Sequence, residues 1–222
     1  CEANPALAKY INMDLTQNLT IVCANLNIPL VYISTDHLFS GNESLIDEDF
    51  PTSPINIYAK TKAEAESYLK NTYPEALIIR TNFYAWGTSY RHSFSDLVIN
   101  NLRAGKKISL FKDIYYTPIL VESLVDAVHE LVQKKAKGIF NVVGDDRISK
   151  YDFGLKLARE FNLDNSLIEE GKITDINWLN NYLYPTIYKK LAHMIRSVKD
   201  KFKQDSRFSE LYASDILITD DL

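Results

Sequence analysis

Pro29-Leu30-Val31-Tyr32-Ile33 is a short, unbroken apolar run that gives way to Ser34-Thr35-Asp36-His37, and its place in the chain decides the fold. A run of this length without polar alternation fits a strand buried on both faces, the kind found in parallel sheets covered by helices. The flanking residues agree. Upstream, Leu7, Ile11, Leu15, Leu19 and Val22 recur at helical spacing behind Pro5, a favourable first-turn residue, so a helix is expected from about Pro5 to about Asn25. Downstream, a polar loop over 41–57 carries Asp47, Glu48, Asp49, Pro51 and Pro54 and leads into a second helix that ends near Asn71. Ala76-Leu77-Ile78-Ile79-Arg80 is then a second buried strand. Alternating strand and helix predicts an α/β chain with a parallel sheet and helices on its faces.

The second helix carries Tyr58-Ala59-Lys60-Thr61-Lys62. A tyrosine and a lysine one turn apart share a face. An ordinary phenol, with a pKa of about 10, exchanges protons poorly near neutrality, and an ammonium held beside it favours the phenolate and brings it into working range. Thr35 falls at the carboxyl end of the first strand, where open α/β sheets place their ligands. A tyrosine and lysine at this spacing are common on solvated helices; the signal is strand, threonine and helix in that order.

Ser34-Thr35-Asp36-His37-Leu38-Phe39-Ser40-Gly41, Pro54-Ile55-Asn56-Ile57-Tyr58-Ala59-Lys60-Thr61-Lys62-Ala63-Glu64-Ala65-Glu66 and Ile78-Ile79-Arg80-Thr81-Asn82-Phe83 together resemble the dTDP-4-dehydrorhamnose reductase branch of the extended short-chain dehydrogenase/reductase superfamily. The resemblance implies a Rossmann-like, doubly wound parallel sheet with a smaller α/β substrate lobe. It also implies NADPH or NADH as hydride donor and a nucleotide-linked 4-keto-6-deoxy sugar as substrate, as in dTDP-L-rhamnose biosynthesis. By the same resemblance Tyr58 is the proton donor, Lys62 tunes Tyr58 and binds the nicotinamide ribose, and Thr35 donates to the carbonyl oxygen. Ser34, Arg80, Thr81, Asn82 and Phe83 would border the cofactor with Tyr58 and Lys62, while Thr35, Asp36, His37, Asn82 and Tyr115 would face the substrate. In related enzymes an asparagine on the first helix holds the lysine through water; Asn12 lies one position off the apolar stripe, and its expected role is that of an ordinary exposed residue. Dehydratases of the superfamily carry an acidic pair after the threonine, so Asp36-His37 disfavours elimination and leaves epimerisation as the alternative chemistry. A regulatory subunit of methionine adenosyltransferase resembles the same branch, so a non-catalytic binding role is the alternative of a different class.

A dinucleotide site also needs a glycine-rich turn after its first strand. The seven glycines are Gly41, Gly87, Gly105, Gly138, Gly144, Gly154 and Gly171, and no two are separated by a single residue. Cys1-Glu2-Ala3-Asn4-Pro5 resembles the family's stretch after its fourth strand, so the expectation is a partial Rossmann-like sheet with its first half missing. Residues 1–90 would form the second half of the cofactor domain. Residues 91–175 would form mainly the substrate lobe, with a helix lined by Phe94, Leu97, Val98 and Leu102, a strand at Lys107-Ile108-Ser109-Leu110-Phe111, and a returning Rossmann strand at Gly138-Ile139-Phe140-Asn141-Val142-Val143-Gly144. Tyr116 stands where the family often has glycine. Ser149 would cap a helix holding Phe153, Leu157 and Phe161. Residues 176–222 would form a divergent helical tail, whose apolar stripe at Ile187, Leu191, Met194, Ile195, Val198 and Phe202 is expected to pack inward.

Composition narrows the partners. A net charge of -4 without a sustained basic stripe argues against nucleic acid, and no apolar run approaches the roughly 18 residues of a membrane span. Two cysteines cannot make a disulfide framework and suit a reducing compartment, so the cytoplasm is expected. The four histidines lie far apart and no metal site is expected. A homodimer is left open.

Overall fold

The computed structural model describes residues 1–41, 43–88 and 92–172. The tail over 176–222, with its apolar stripe, lies outside them. In chain order the elements are α1 (Pro5–Lys9), α2 (Leu15–Leu26), β1 (Val31–Ile33), α3 (Ile57–Thr72), β2 (Leu77–Arg80), β3 (Phe83–Tyr84), α4 (Phe94–Arg103), β4 (Ile108–Phe111), β5 (Tyr115–Tyr116), β6 (Ile119–Leu120), α5 (Val121–Gln133), β7 (Gly138–Asn141), β8 (Ile148–Ser149), α6 (Lys150–Glu160) and β9 (Ile168–Gly171). Side-chain caps set several of these boundaries. Asn4 accepts the Leu7 N–H ahead of Pro5, Asn56 accepts the Ala59 N–H at 2.8 Å to start α3, and Ser149 accepts the Asp152 N–H to start α6. Asn27, at φ 51°, ends α2 in the left-handed region that asparagine tolerates.

The described residues divide into two compact units, one of residues 1–85 with 116–147 and one of residues 86–115 with 148–172. In the first, β1, β2 and β7 form a parallel sheet in that order, with Val31 opposite Leu77 and Leu77 opposite Gly138. Successive residues of β2 point to opposite faces. Ile78 packs with Leu69 of α3 beside Tyr32 and Ile139, whereas Leu77 and Ile79 pack with Leu124 and Val128 of α5. A parallel sheet needs a helix on each face, and β2, covered on both, is buried along its whole length.

Tyr10–Asp14, between α1 and α2, is a π-helical turn. The wider turn inserts a residue and rotates the helix after it relative to the helix before it, which redirects the expected stripe. Ala8, Ile11, Asn12, Thr16 and Thr20 are buried, while Leu7, Leu19, Val22 and Leu26 are exposed. Asn12 is therefore not an exposed residue. It is buried and gives an Nδ2 proton to Thr61 Oγ1 of α3 at 3.0 Å.

In the second unit α4 and α6 pack against a parallel pair, β4 and β9, around Val98, Leu102, Leu110, Ala158 and Ile168. Leu97, expected on the inner face of α4, is exposed. Gly154 lets α6 lie close to β4, since a β-carbon there would run into the Leu110 side chain. Among the described residues no helix is long and apolar enough to cross a membrane.

Candidate active site

Tyr58, Lys62 and Glu66 follow one another at single-turn intervals along α3, and all three are buried, at 6%, 5% and 3% exposure. They lie along one side of α3, which sets Lys62 and Glu66 against strand ends. Lys62 Nζ donates to the Ile33 carbonyl at the end of β1 at 2.7 Å and lies 4.3 Å from the centroid of the Tyr32 ring. Glu66 receives the Arg80 guanidinium from the end of β2, through Nε to both carboxylate oxygens at 3.2 Å and through Nη2 to Oε2 at 2.8 Å. Arg80 is two residues on from Ile78 and so shares its face of the sheet, the face that α3 covers. Its position in the strand aims it at Glu66.

The segment after β1 supplies the polar groups next to Tyr58. Thr35 is buried; its Oγ1 accepts the His37 N–H at 3.2 Å, and its own proton faces Asp36 Oδ1 at a long 3.5 Å. Asp36 accepts the Asn82 amide through both oxygens, at 3.2 and 3.1 Å, and lies 3.6 Å from His37 Nε2. The His37 ring meets Tyr58 edge to face, with centroids 6.2 Å apart. Thr35, Asp36, His37, Tyr58, Lys62 and Asn82, six of the residues singled out in the sequence, thus lie in one neighbourhood. Phe83 is exposed on β3, and Tyr115 belongs to the second unit.

The loop after Thr35 is fastened on both sides. Arg80 Nη1 donates to the Glu48 carbonyl at 3.2 Å, the Glu48 carboxylate accepts the Asn141 N–H at 2.8 Å, and the Asn141 side chain donates to the Ile46 carbonyl at 3.2 Å. Residues 46–48 are therefore tied to the ends of β2 and β7.

Two hydroxyls at adjacent strand ends, Ser34 Oγ and Thr81 Oγ1, are enclosed without a hydrogen-bond partner. Buried polar groups are rarely left unpaired, and donors at the carboxyl edge of a parallel sheet fit the amide or ribose edge of a nicotinamide. The pyrophosphate end of a dinucleotide has no glycine-rich counterpart in the chain.

Asn12, Tyr32, Thr61 and Glu66 were given no site role in the sequence reading. Thr61 takes the Asn12 amide proton and passes its own to the Tyr58 carbonyl at 2.8 Å, so the π-helical turn is bonded directly to the helical turn that carries Tyr58. Spacing alone held two of these signals. Glu66 is one turn beyond Lys62, and Tyr32 alternates with Ser34 and Leu30 onto the face that α3 covers. Nothing in the sequence marks the π-helical turn.

Known proteins bear on this arrangement. A probable low-salt glycan biosynthesis reductase of Haloferax volcanii is 31% identical over 80% of this chain and 60% of its own length. Methionine adenosyltransferase 2 subunit beta of Bos taurus is 29% identical over 74% of this chain and 52% of its own. The crystal structure of a dTDP-4-dehydrorhamnose reductase of Bacillus anthracis in complex with NADP superposes with a TM-score of 0.72 at 26% identity, covering 78% of this chain and 60% of that one. The chain thus spans between half and two thirds of the length of these proteins. The RmlD substrate binding domain model matches residues 1–178, and the chain belongs to that family.

Proposed function

We propose that this chain carries the proton-handling and substrate-binding part of an NAD(P)H-dependent reductase of nucleotide-linked 4-keto-6-deoxy sugars, with dTDP-4-dehydrorhamnose as the first candidate. The observation that carries the reading is the buried Tyr58–Lys62 pair on α3, with Lys62 bonded to the Ile33 carbonyl at the end of β1, two residues before Thr35. The names of the Haloferax volcanii and Bacillus anthracis relatives support the reaction class. Bound NADPH or NADH would supply a hydride to the keto carbon. The Thr35 hydroxyl would turn from Asp36 to the keto oxygen, a bond that strengthens as negative charge grows there. Tyr58 would donate its phenolic proton to that oxygen, and the Lys62 ammonium would favour the phenolate left behind. Asp36, oriented by Asn82, would hold the turn that carries Thr35 and His37. Ser34 and Thr81 would meet the nicotinamide end of the cofactor, and Tyr115 is proposed as a sugar-nucleotide contact.

The subunit relative favours a second reading, in which the same site binds a ligand without turning it over. Steady-state assays of the full-length gene product with NADPH across several nucleotide-linked 4-keto sugars separate the two. Turnover of at least one sugar is expected. A folded protein that binds NADPH and turns over none would establish the binding subunit instead. We place the protein in the cytoplasm, which its two cysteines suit, and leave a homodimer as a further reading of the assembly.

A further inference from the structure

Among the contacts of Lys62 are a backbone carbonyl and an aromatic ring. A carboxylate partner would neutralise the ammonium and weaken its effect on Tyr58, whereas a carbonyl oxygen and an aromatic face attract a cation and leave its charge intact. The Ile33 carbonyl and the Tyr32 ring supply these two contacts. We propose that Tyr32 is a positioning residue, its ring face and the adjacent Ile33 carbonyl forming a seat that fixes the Lys62 ammonium against Tyr58. The inference rests on the reading of Tyr58 and Lys62 as a proton-handling pair.

The surroundings of Tyr32 keep it in this role and out of the chemistry. Its hydroxyl is enclosed without a hydrogen-bond partner; the nearby Thr16 hydroxyl gives its proton to the Asn12 carbonyl at 2.9 Å. Burial first, then Tyr58 and Glu66, push the Tyr32 phenol far above its ordinary range, against a smaller opposing pull from Thr16. Tyr32 therefore stays a neutral ring. The seat needs the ring and not the hydroxyl.

Nuclear magnetic resonance on the full-length gene product with isotope-labelled lysine tests this, the Lys62 signals being assigned by Lys62→Arg. The side-chain carbon and protons next to the Lys62 ammonium should be shifted upfield by the Tyr32 ring current. Tyr32→Phe should keep that shift and hold kcat within about twofold, while Tyr32→Leu should abolish the shift and lower kcat about tenfold. Unshifted Lys62 signals in the unaltered protein would overturn the seat, as would full turnover in Tyr32→Leu or a large loss in Tyr32→Phe. If Tyr32→Leu fails to fold, the unaltered protein and Tyr32→Phe decide the matter between them. A shifted Lys62 in a protein without turnover supports the seat and overturns the reductase reading.

Discussion

Thr35 shows how finely the site is balanced at the level of one residue. Its hydroxyl holds the His37 N–H and leans on Asp36 across 3.5 Å, a contact long enough that a keto oxygen at ordinary hydrogen-bond distance would displace it. Thr35→Val keeps the shape and removes the donor. We expect kcat to fall about a hundredfold with a smaller change in KM, because the lost bond is worth most when charge has developed on the oxygen. Steady-state kinetics of the variant check this, and a rise in KM at unchanged kcat would assign Thr35 to ground-state binding. The residues of this neighbourhood were legible where chemistry and spacing coincide: Tyr58, Lys62 and Thr35 announce themselves in the sequence. Asn12 did not, because its burial depends on a helical irregularity that side-chain periodicity does not encode. Arg80 was placed beside the cofactor by resemblance, and the strand's alternation turns its guanidinium toward Glu66.

At the scale of elements, capping and close packing decide more than propensity. Helix α4 opens with a reciprocal box in which Ser93 accepts the Asp96 N–H and the Asp96 carboxylate accepts the N–H groups of Ser93 and Gly87. Burial on its own would raise the Asp96 carboxyl; the N–H groups of Ser93 and Gly87 and the Ser93 hydroxyl outweigh it and hold the group below the ordinary carboxylate range. A carboxyl lowered by folding stabilises the fold above its unfolded pKa of about 3.9, and that contribution is lost as pH falls through the lower folded value. Thermal midpoints measured across the acid range should therefore fall below about pH 4 in the unaltered chain. Asp96→Asn should start lower at neutral pH and show a flatter acid limb, and an unchanged limb would deny Asp96 this role. The strands and helices were mostly legible from apolar runs and periodicity. The pairing of β9 with β4 was not, because a four-residue segment after a short turn carries no run long enough to stand out. Leu97 shows the complementary limit: periodicity places a residue on an arc of the helix, and only packing decides which edge of that arc is covered.

On the scale of the whole molecule, the first unit is a parallel sheet with β1 at its edge and an apolar helix surface at Leu19, Val22 and Leu26 exposed beside it. Parallel sheets are ordinarily covered on both faces and continued at their edges. The family relationship explains the architecture, and a line of buried polar groups ties α3 down, Lys62 and Glu66 to the ends of β1 and β2 and Thr61 to Asn12 of the π-helical turn. The same line makes the chain's chemistry testable with the loss of one atom. Kinetics and NADPH binding should be measured side by side for the full-length gene product and its Tyr58→Phe variant, using the best nucleotide-linked 4-keto sugar. The account predicts that Tyr58→Phe loses at least about a hundredfold in kcat while NADPH affinity stays near that of the unaltered protein. Turnover retained at the unaltered rate in Tyr58→Phe would contradict it.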